Sequence, residues 1–225
     1  MPGKERKLLA FPLYPGVTPL DLVGPLTVLR NLVGTPYRTV VVGERVEELA
    51  SDTALRLVPA ATFTDVPEPF AVFVPGGGAA TPAAMQDQAL IGYVQSAAAN
   101  AEVVAATGNG ALILAAAGLL KGRRAAVHWA YGELLESFGT TWVRERWVED
   151  GRFLTAAGGS AGIDMTLALL ARWKSRSGAE LAQLFMEYDP EPPFGRVDPA
   201  DADADLAGAL RTPRSPAGPS HRAGG

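Results

Sequence analysis

The stretch "AATGNGALILAAAG" (residues 105–118) joins the end of an apolar strand to an alanine-rich helix through two glycines. In several hydrolase folds a turn of this shape carries the nucleophile at the point where the strand ends and the helix begins. The residue at that point is Gly108, and the chain of 225 residues contains no cysteine. The sequence therefore predicts an active-site elbow without a reactive side chain.

Short apolar runs alternate with helical patterns on both sides of this elbow, which is typical of β-α units stacked around a parallel sheet. Pro59 places the third of the extended segments in a hairpin or at a sheet edge. Four β-α transitions in order predict an α/β fold with an open, doubly wound, mostly parallel sheet sandwiched by helices. The predicted strands are 7–13, 37–43, 55–63, 70–78 and 101–107, and the predicted helices are 18–32, 82–98 and 111–120.

The pattern changes after residue 121. Residues 123–139 predict a short strand that continues into a helix, and residues 140–156 predict two strands joined at Glu149-Asp150-Gly151, which is an Asp-Gly hairpin signal. Residues 158–176 predict a long amphipathic helix. These elements complete one predicted domain over residues 1–188.

The segment 189–225 is rich in Pro, Asp, Ala and Gly. Such a composition buries too little apolar surface to offset the entropy of ordering the chain. We therefore predict a mostly disordered tail, in which His221 has no assigned role.

Composition disfavours several functional classes. A net charge of −4 and the absence of a basic stripe disfavour nucleic-acid binding. With no cysteine and two histidines, we expect neither a disulfide nor a transition-metal site. The apolar stretch near the N-terminus is short and is interrupted by Pro12 and Pro15, and no run approaches the roughly 20 apolar residues of a membrane span. We expect a cytoplasmic protein without a membrane partner.

Three glycine-containing turns follow predicted strands, at the edge where open parallel sheets bind ligands. They are Pro15-Gly16 before Asp21, Gly76-Gly77-Gly78, and Gly108-Asn109-Gly110. Glycine allows main-chain amides to approach a ligand closely, and helix N-termini add partial positive charge there. The pattern predicts a crevice suited to a developing anion.

Four segments also resemble a known family: "FPLYPGVTPLDLVGPLTVL" (11–29), "FVPGGG" (73–78), "ATGNGALILAAAGLLKGRRAAVHW" (106–129) and "GRFLTAAGGSAGIDMTLALL" (151–170). In order and spacing they resemble the DJ-1/PfpI superfamily, and within it the isonitrile hydratase branch. The resemblance spans about residues 7–176 and implies a flavodoxin-like, class I glutamine amidotransferase-like domain. In that branch the elbow reads Cys-Thr-Gly-Ala-Leu, so the position of the reactive cysteine corresponds to Gly108.

The resemblance implies a role for several residues. Asp21 matches an acidic residue on the first helix that exchanges protons or hydrogen-bonds the thiolate in relatives. Gly77, Gly78 and Asn109 match the main-chain corner that binds an oxyanion. His128 and Trp129 match a His-Trp pair beside the site. The resemblance also implies a homodimer, whereas the thiolate attack on an isonitrile does not transfer to a chain without the thiol.

Each of these residues has a structural reading as well. Asp21 could cap its own helix, and the three glycines from Gly76 could serve only a tight turn. Asn109 could be present because Asn tolerates a left-handed backbone at the elbow. His128 beside aromatic residues could be a structural histidine.

Two other site chemistries fit poorly. Gly108-x-Gly110 resembles the start of a dinucleotide fingerprint, but that pattern requires Gly or Ala where Ile113 stands. No G-x-S-x-G motif supplies a serine nucleophile at the elbow. We therefore expect no cofactor and no metal.

The residues that remain favour a cofactor-independent acid/base enzyme of hydratase, lyase, isomerase or cyclase type. Asp21 is the predicted general acid/base, and a small or natural-product-like substrate is expected to contact Gly77, Gly78, Gly108, Asn109, His128 and Trp129. The alternative is a ligand-binding or regulatory pseudoenzyme that kept the fold after losing its cysteine. An engineered knockout of a hydratase fits less well, because Asn109 also departs from the usual threonine.

Overall fold

A seven-stranded sheet forms the centre of the computed structural model, which describes residues 6–195 and 197–198. The elements are β1 (Lys7–Pro12), α1 (Pro19–Leu29), β2 (Tyr37–Gly43), β3 (Leu49–Ala50), β4 (Arg56–Leu57), β5 (Ala61–Thr62), β6 (Ala71–Val74), α2 (Thr81–Ala84), α3 (Gln88–Asn100), β7 (Val103–Thr107), α4 (Gly110–Ala116), β8 (Arg124–Ala125), α5 (Gly132–Ser137), β9 (Thr141–Trp142), β10 (Trp147–Asp150), β11 (Phe153–Ala156), α6 (Gly159–Trp173) and α7 (Arg176–Phe185). Short 3-10 turns cover Phe63–Asp65, Gly78–Ala80 and Trp129–Tyr131.

The strand order is β10-β11-β7-β6-β1-β2-β5, and every neighbouring pair is parallel except β10 and β11. From β1 the chain adds β2 and β5 on one side and later β6, β7 and β11 on the other. The strand order therefore reverses between β1 and β6, which is where open α/β sheets form a ligand crevice. The predicted α/β class with a mostly parallel, helix-flanked sheet is confirmed.

The middle of the sheet is buried on both faces. Every residue of β6, β7 and β11 is buried, as are the last four residues of β1. Helices α1 and α6 pack against each other, and α3 packs against α4. Burial on both faces explains why these strands read as continuous apolar runs rather than as an alternating pattern.

The predicted hairpin over 140–156 is correct only for its second half. β10 and β11 pair antiparallel around Gly151, which has a φ of +63°. Residues 141–142 instead pair parallel with β8 in a separate two-stranded sheet. The polar stretch between Trp142 and Trp147 separates the two pieces, so no single strand runs through it.

Two predicted helices have different bounds. The helix predicted over 82–98 is divided into α2 and α3, because the Asp87 carboxylate caps a new helix by accepting from the N–H groups of Ala89 and Leu90. The helix predicted over 158–176 ends at Trp173. Ser175 then caps α7, which the sequence reading did not include.

The extended segment predicted over 55–63 contains both a hairpin strand and a strand at the sheet edge, the two positions that Pro59 indicated. β4 pairs antiparallel with β3 as a hairpin, and β5 forms one edge of the main sheet. Of the predicted tail over 189–225, residue 196 and residues 199–225 lie outside the described residues. Within the described part of the chain, none of the helices combines the length and the hydropathy needed to cross a bilayer.

Candidate active site

The crevice at the carboxyl ends of β1, β6 and β7 contains one buried carboxylate. Asp21 lies in the first turn of α1 with 7% of its surface exposed. Its Oδ2 accepts a hydrogen bond from the Gly76 N–H at 3.0 Å. The first helix and the glycine turn after β6 are thus joined at the acid that the sequence singled out.

Three glycines frame this carboxylate. A Cβ built on Gly108 would lie 2.5 Å from Asp21 Oδ2, and one on Gly76 would lie 2.6 Å from the same atom. A Cβ on Gly159 would lie 2.6 Å from Oδ1. Real Cβ atoms do not approach an oxygen this closely, so the carboxylate occupies the space that a side chain at residue 108 would need.

The elbow has the backbone of a nucleophile turn. Gly108 has a φ of +53°, in the left-handed region that side chains disfavour, and its N–H donates to the Ala156 carbonyl at 3.0 Å. Asn109 has a φ of −75° and stands at the N-cap of α4. The reading that Asn109 is present to tolerate a left-handed backbone is therefore wrong, because the left-handed residue is Gly108.

The main-chain carbonyl of Asp21 is also hydrogen-bonded to a residue outside α1. Pro25 has no N–H, so the Asp21 carbonyl lacks its partner within the helix. The Thr107 hydroxyl at the end of β7 donates to that carbonyl at 2.9 Å. The Thr18 N–H also donates to the Gly76 carbonyl at 2.8 Å. These bonds tie α1 to the two strands that precede the glycine turns.

Burial raises the pKa of Asp21 to about 6, from an ordinary value of 3.8. The hydrogen bond from Gly76 acts in the opposite direction, and the negative charge of Asp52 raises the pKa further. A carboxyl group with this pKa holds its proton in about half of the molecules at pH 6 and in about a tenth of them at pH 7. Asp21 therefore has the protonation behaviour that general acid/base chemistry requires.

Asp52, which the sequence reading missed, is a second carboxylate at the crevice. The Thr18 hydroxyl donates to Asp52 Oδ2 at 2.5 Å. Thr18 occupies the N-cap position of α1, but its side chain makes no capping bond to the helix. The Asp52 N–H donates to the Val17 carbonyl at 3.1 Å, which holds the turn after β3 beside α1. This long-range pairing has no local sequence signal.

Tyr14 is a further residue of the site that the sequence did not indicate. Its buried hydroxyl donates to the Pro75 carbonyl at 2.8 Å, and burial raises its pKa well above the ordinary value. A Cβ on Gly77 would lie 2.8 Å from that hydroxyl oxygen, and one on Gly78 would lie 3.3 Å from Asp52 Oδ2. Gly77 and Gly78 thus allow the turn to pass close to two polar side chains.

Asn109 carries an unused carboxamide. The residue is 6% exposed, and its Oδ1 is buried without a hydrogen-bond partner among the described residues. A buried acceptor without a partner is costly, so such a group is a candidate for contact with a ligand or a water molecule.

The structure does not join His128 and Trp129 to Asp21. His128 Nδ1 accepts from the Ala130 N–H at 3.4 Å, and its ring contacts are with Trp129 and Tyr131. Burial lowers the pKa of His128, which favours its neutral form. Their predicted contact with a substrate stays a prediction.

A separate cavity of about 230 Å³ is lined in part by Tyr14. Leu13, Phe63 and Leu90 supply its apolar surface, and none of the predicted site residues lines it. In the part of the chain that the structure describes, no group of three His, Asp or Glu side chains is placed to hold a metal ion.

Comparisons with known proteins identify the family of the chain. The model of the DJ-1/PfpI family matches residues 7–172. The chain is 38% identical to an isonitrile hydratase from Pseudomonas putida over 208 residues, which cover 92% of this chain and 90% of that protein. It is 34% identical over 125 residues to the HTH-type transcriptional regulator CdhR from Pseudomonas aeruginosa, covering 55% of this chain and 35% of the regulator.

Among solved structures, a ThiJ/PfpI family protein from Pseudomonas syringae superposes with a TM-score of 0.85 at 35% identity, over 92% of this chain and 85% of that one. The family match, the isonitrile hydratase relative and this structural neighbour all span most of the described fold. The chain therefore belongs to the DJ-1/PfpI family.

Proposed function

We propose that this protein is a cofactor-independent acid/base enzyme of hydratase, lyase, isomerase or cyclase type, with Asp21 as the general acid/base. One observation carries the proposal: a buried carboxyl group, with a pKa raised to about 6, lies in the space that a side chain at the elbow would fill. A glycine at that position offers no covalent route, so proton transfer is the chemistry that the crevice supports.

The proposed mechanism uses the two protonation states of Asp21. The protonated carboxyl donates its proton to a basic atom of the substrate, and the carboxylate later accepts a proton from the intermediate or from an attacking water. Such a positioned acid or base contributes about 10²- to 10⁴-fold to the rate. The orientation of the Asp21 carboxyl is fixed by the Gly76 N–H, which donates to its Oδ2.

Main-chain donors at Gly77, Gly78 and Asn109 are the proposed partners of negative charge that develops on the substrate. Each well-aligned donor of this kind is worth about 3 kcal/mol in the transition state. The Asn109 carboxamide, which has no partner in the described structure, would bind a polar group of the substrate. The relative that hydrates isonitriles supports hydration as the first reaction type to test.

The test is the variant Asp21→Asn, which keeps the shape of the side chain and an acceptor for the Gly76 N–H. In a panel of candidate substrates that begins with isonitriles, we expect turnover to fall by about 10²- to 10⁴-fold while substrate binding persists. Glu68→Gln is the matched control, because it removes one charge just before the amino end of β6, whereas the crevice lies at the carboxyl end. Unchanged turnover in Asp21→Asn would rule out Asp21 as the proton carrier.

The alternative function is that of a ligand-binding or regulatory protein without catalysis. The partial match to the transcriptional regulator CdhR favours it, as does the missing nucleophile. Compounds that bind at the crevice without any turnover, across a panel of hydratase, isomerase and cyclase substrates, would support this alternative over the enzyme.

We also propose that the protein is a homodimer, as the family resemblance implies. Leu20 and Val23 of α1 are 48% and 41% exposed beside the crevice, and a second copy of the chain would cover them. Light scattering during size-exclusion chromatography checks this: twice the mass of the 225-residue chain is expected, and a monomer at high concentration would contradict it.

A further inference from the structure

Asp21 has a second carboxylate near it. The negative charge of Asp52 is one of the causes that raise the pKa of Asp21. Neither aspartate takes part in a salt bridge in the described part of the chain. The crevice therefore holds two carboxylates, neither of which has a salt-bridge partner among the described residues.

Asp52 is fixed beside the glycine turn rather than free in solution. Thr18 donates to its Oδ2 at 2.5 Å, and the same oxygen lies 3.3 Å from a Cβ built on Gly78. Asp52 is exposed, whereas Asp21 is buried. Asp52 therefore lies at the Gly78 end of the glycine turn, on its exposed side, whereas Asp21 lies at the buried Gly76 end.

The other unpaired polar atom of the site is also an acceptor. Asn109 Oδ1 has no donor among the described residues and is buried next to the elbow. A ligand with N–H groups would satisfy this atom, whereas a carboxylate or phosphate ligand would not. Asp21, Asp52 and Asn109 thus each present an acceptor at the glycine turn or the elbow. The hydroxyls of Thr18 and Tyr14 already donate within the protein, to Asp52 Oδ2 and to the Pro75 carbonyl.

We propose that Asp52 makes the crevice selective for a cationic, N–H-bearing substrate, such as an ammonium or amidinium compound, and against anionic ones. This inference rests on the proposed function of the same crevice and names its substrate class. Asp52 acts here as a specificity residue that binds the positive group of the substrate, while Asp21 keeps the proton-transfer role.

Three probes of nearly the same shape test the charge preference: benzamidine as the cation, benzamide as the neutral form and benzoate as the anion. Binding is measured at pH 7 by the shifts of the backbone amide signals of Gly76, Gly77, Gly78 and Asn109. In the wild-type protein we expect benzamidine to bind most tightly and benzoate most weakly. Two unit charges about 4 Å apart in water interact with an energy that corresponds to about a fivefold change in affinity. We expect this factor between benzamidine and benzamide, and again between benzamide and benzoate.

The variant Asp52→Asn keeps an acceptor for the Thr18 hydroxyl but removes the charge. We expect it to weaken benzamidine binding about fivefold and to leave benzamide binding unchanged. Glu68→Gln removes an equal charge near the amino end of β6, away from the crevice. It should leave the affinities of all three probes unchanged.

Equal binding of benzamidine and benzoate by the wild-type protein, or an unchanged preference in Asp52→Asn, would overturn the proposal. Absence of benzamidine-induced shifts at these amides would overturn it as well. Because the readout is binding, its failure is distinct from failure of the proposed function, which is decided by turnover in Asp21→Asn.

Discussion

At residue 108, the lack of a side chain is what leaves room for the Asp21 carboxyl group. Asp21 Oδ2 lies where a Cβ on Gly108 would make a contact of 2.5 Å, so a side chain at the elbow and this placement of the carboxylate exclude each other. For the same reason, a cysteine introduced at residue 108 would displace the acid instead of simply restoring a thiol next to it.

The variant Gly108→Ala tests this exclusion. We expect it to lower the free energy of unfolding by about 2 to 4 kcal/mol, because the alanine meets both a left-handed backbone and the Asp21 carboxylate. Gly122→Ala is the matched control: Gly122 has a φ of +73° and open space around its Cβ position. The free energy of unfolding of Gly122→Ala should fall by only about 1 kcal/mol. Urea denaturation measures both, and equal losses would show that the carboxylate does not fill the space.

At the scale of elements, helix α1 and strand β7 are joined through a proline. Pro25 removes the N–H that would bond to the Asp21 carbonyl, and the Thr107 hydroxyl donates to that carbonyl at 2.9 Å instead. The last residue before the elbow thereby fixes the helix that carries the acid. A sequence reading recognises Pro25 as a helix irregularity but does not reveal which distant side chain compensates for it.

We expect Thr107→Val to lower the free energy of unfolding by about 1 to 3 kcal/mol, because it leaves the buried Asp21 carbonyl without a donor. Thr166→Val is the control, since the Thr166 hydroxyl donates to the Gly162 carbonyl within α6, where a backbone donor is also available. Thermal unfolding of the two variants compares them. A loss in Thr107→Val no larger than in Thr166→Val would show that this bond does not hold α1.

The long buried strands were predictable from the sequence, whereas the shortest elements were not. β1, β6 and β7 appear as apolar runs because both faces of the sheet are covered. β8 and β9 have two residues each, too few for a periodic pattern. The turn that carries Asp52 is positioned by pairing with residues 16–17, about 35 positions earlier in the chain, which no local pattern encodes.

For the whole molecule, the buried Asp21 makes stability depend on pH. Its pKa is raised from 3.8 to about 6 on folding, so the native state binds this proton more tightly than the unfolded chain does. The contribution of Asp21 to stability is greatest below pH 4 and decreases between about pH 4 and pH 6. Above that range it lowers the free energy of unfolding by about 3 kcal/mol relative to acid.

The variant Asp21→Asn removes this dependence. We expect the difference in unfolding free energy between the variant and the wild-type protein to shift in favour of the variant by about 2 kcal/mol from pH 4 to pH 7. Denaturation series at several pH values measure it, and the other titrating groups cancel in the difference. Parallel pH profiles of the two proteins would contradict a buried carboxyl with a raised pKa.

The placement of Asp21 beside the glycine turns was predictable because the sequence resembles its family along this stretch. Its burial, its bond to Gly76 and its neighbour Asp52 were not, because they depend on how α1 packs over two strand ends. The acid and the glycine turns are thus properties of the sequence, whereas the protonation behaviour is a property of the folded molecule.

The central claim, that Asp21 is a proton carrier near neutral pH, is tested most directly by titrating its carboxyl carbon. In protein labelled with ¹³C at aspartate carboxyl groups, the signal that disappears in Asp21→Asn is assigned to Asp21 and followed by NMR from pH 3 to pH 9. We expect a midpoint at about pH 6. A midpoint near the ordinary value of 3.8 would show an ionised, solvated carboxylate and would contradict the claim.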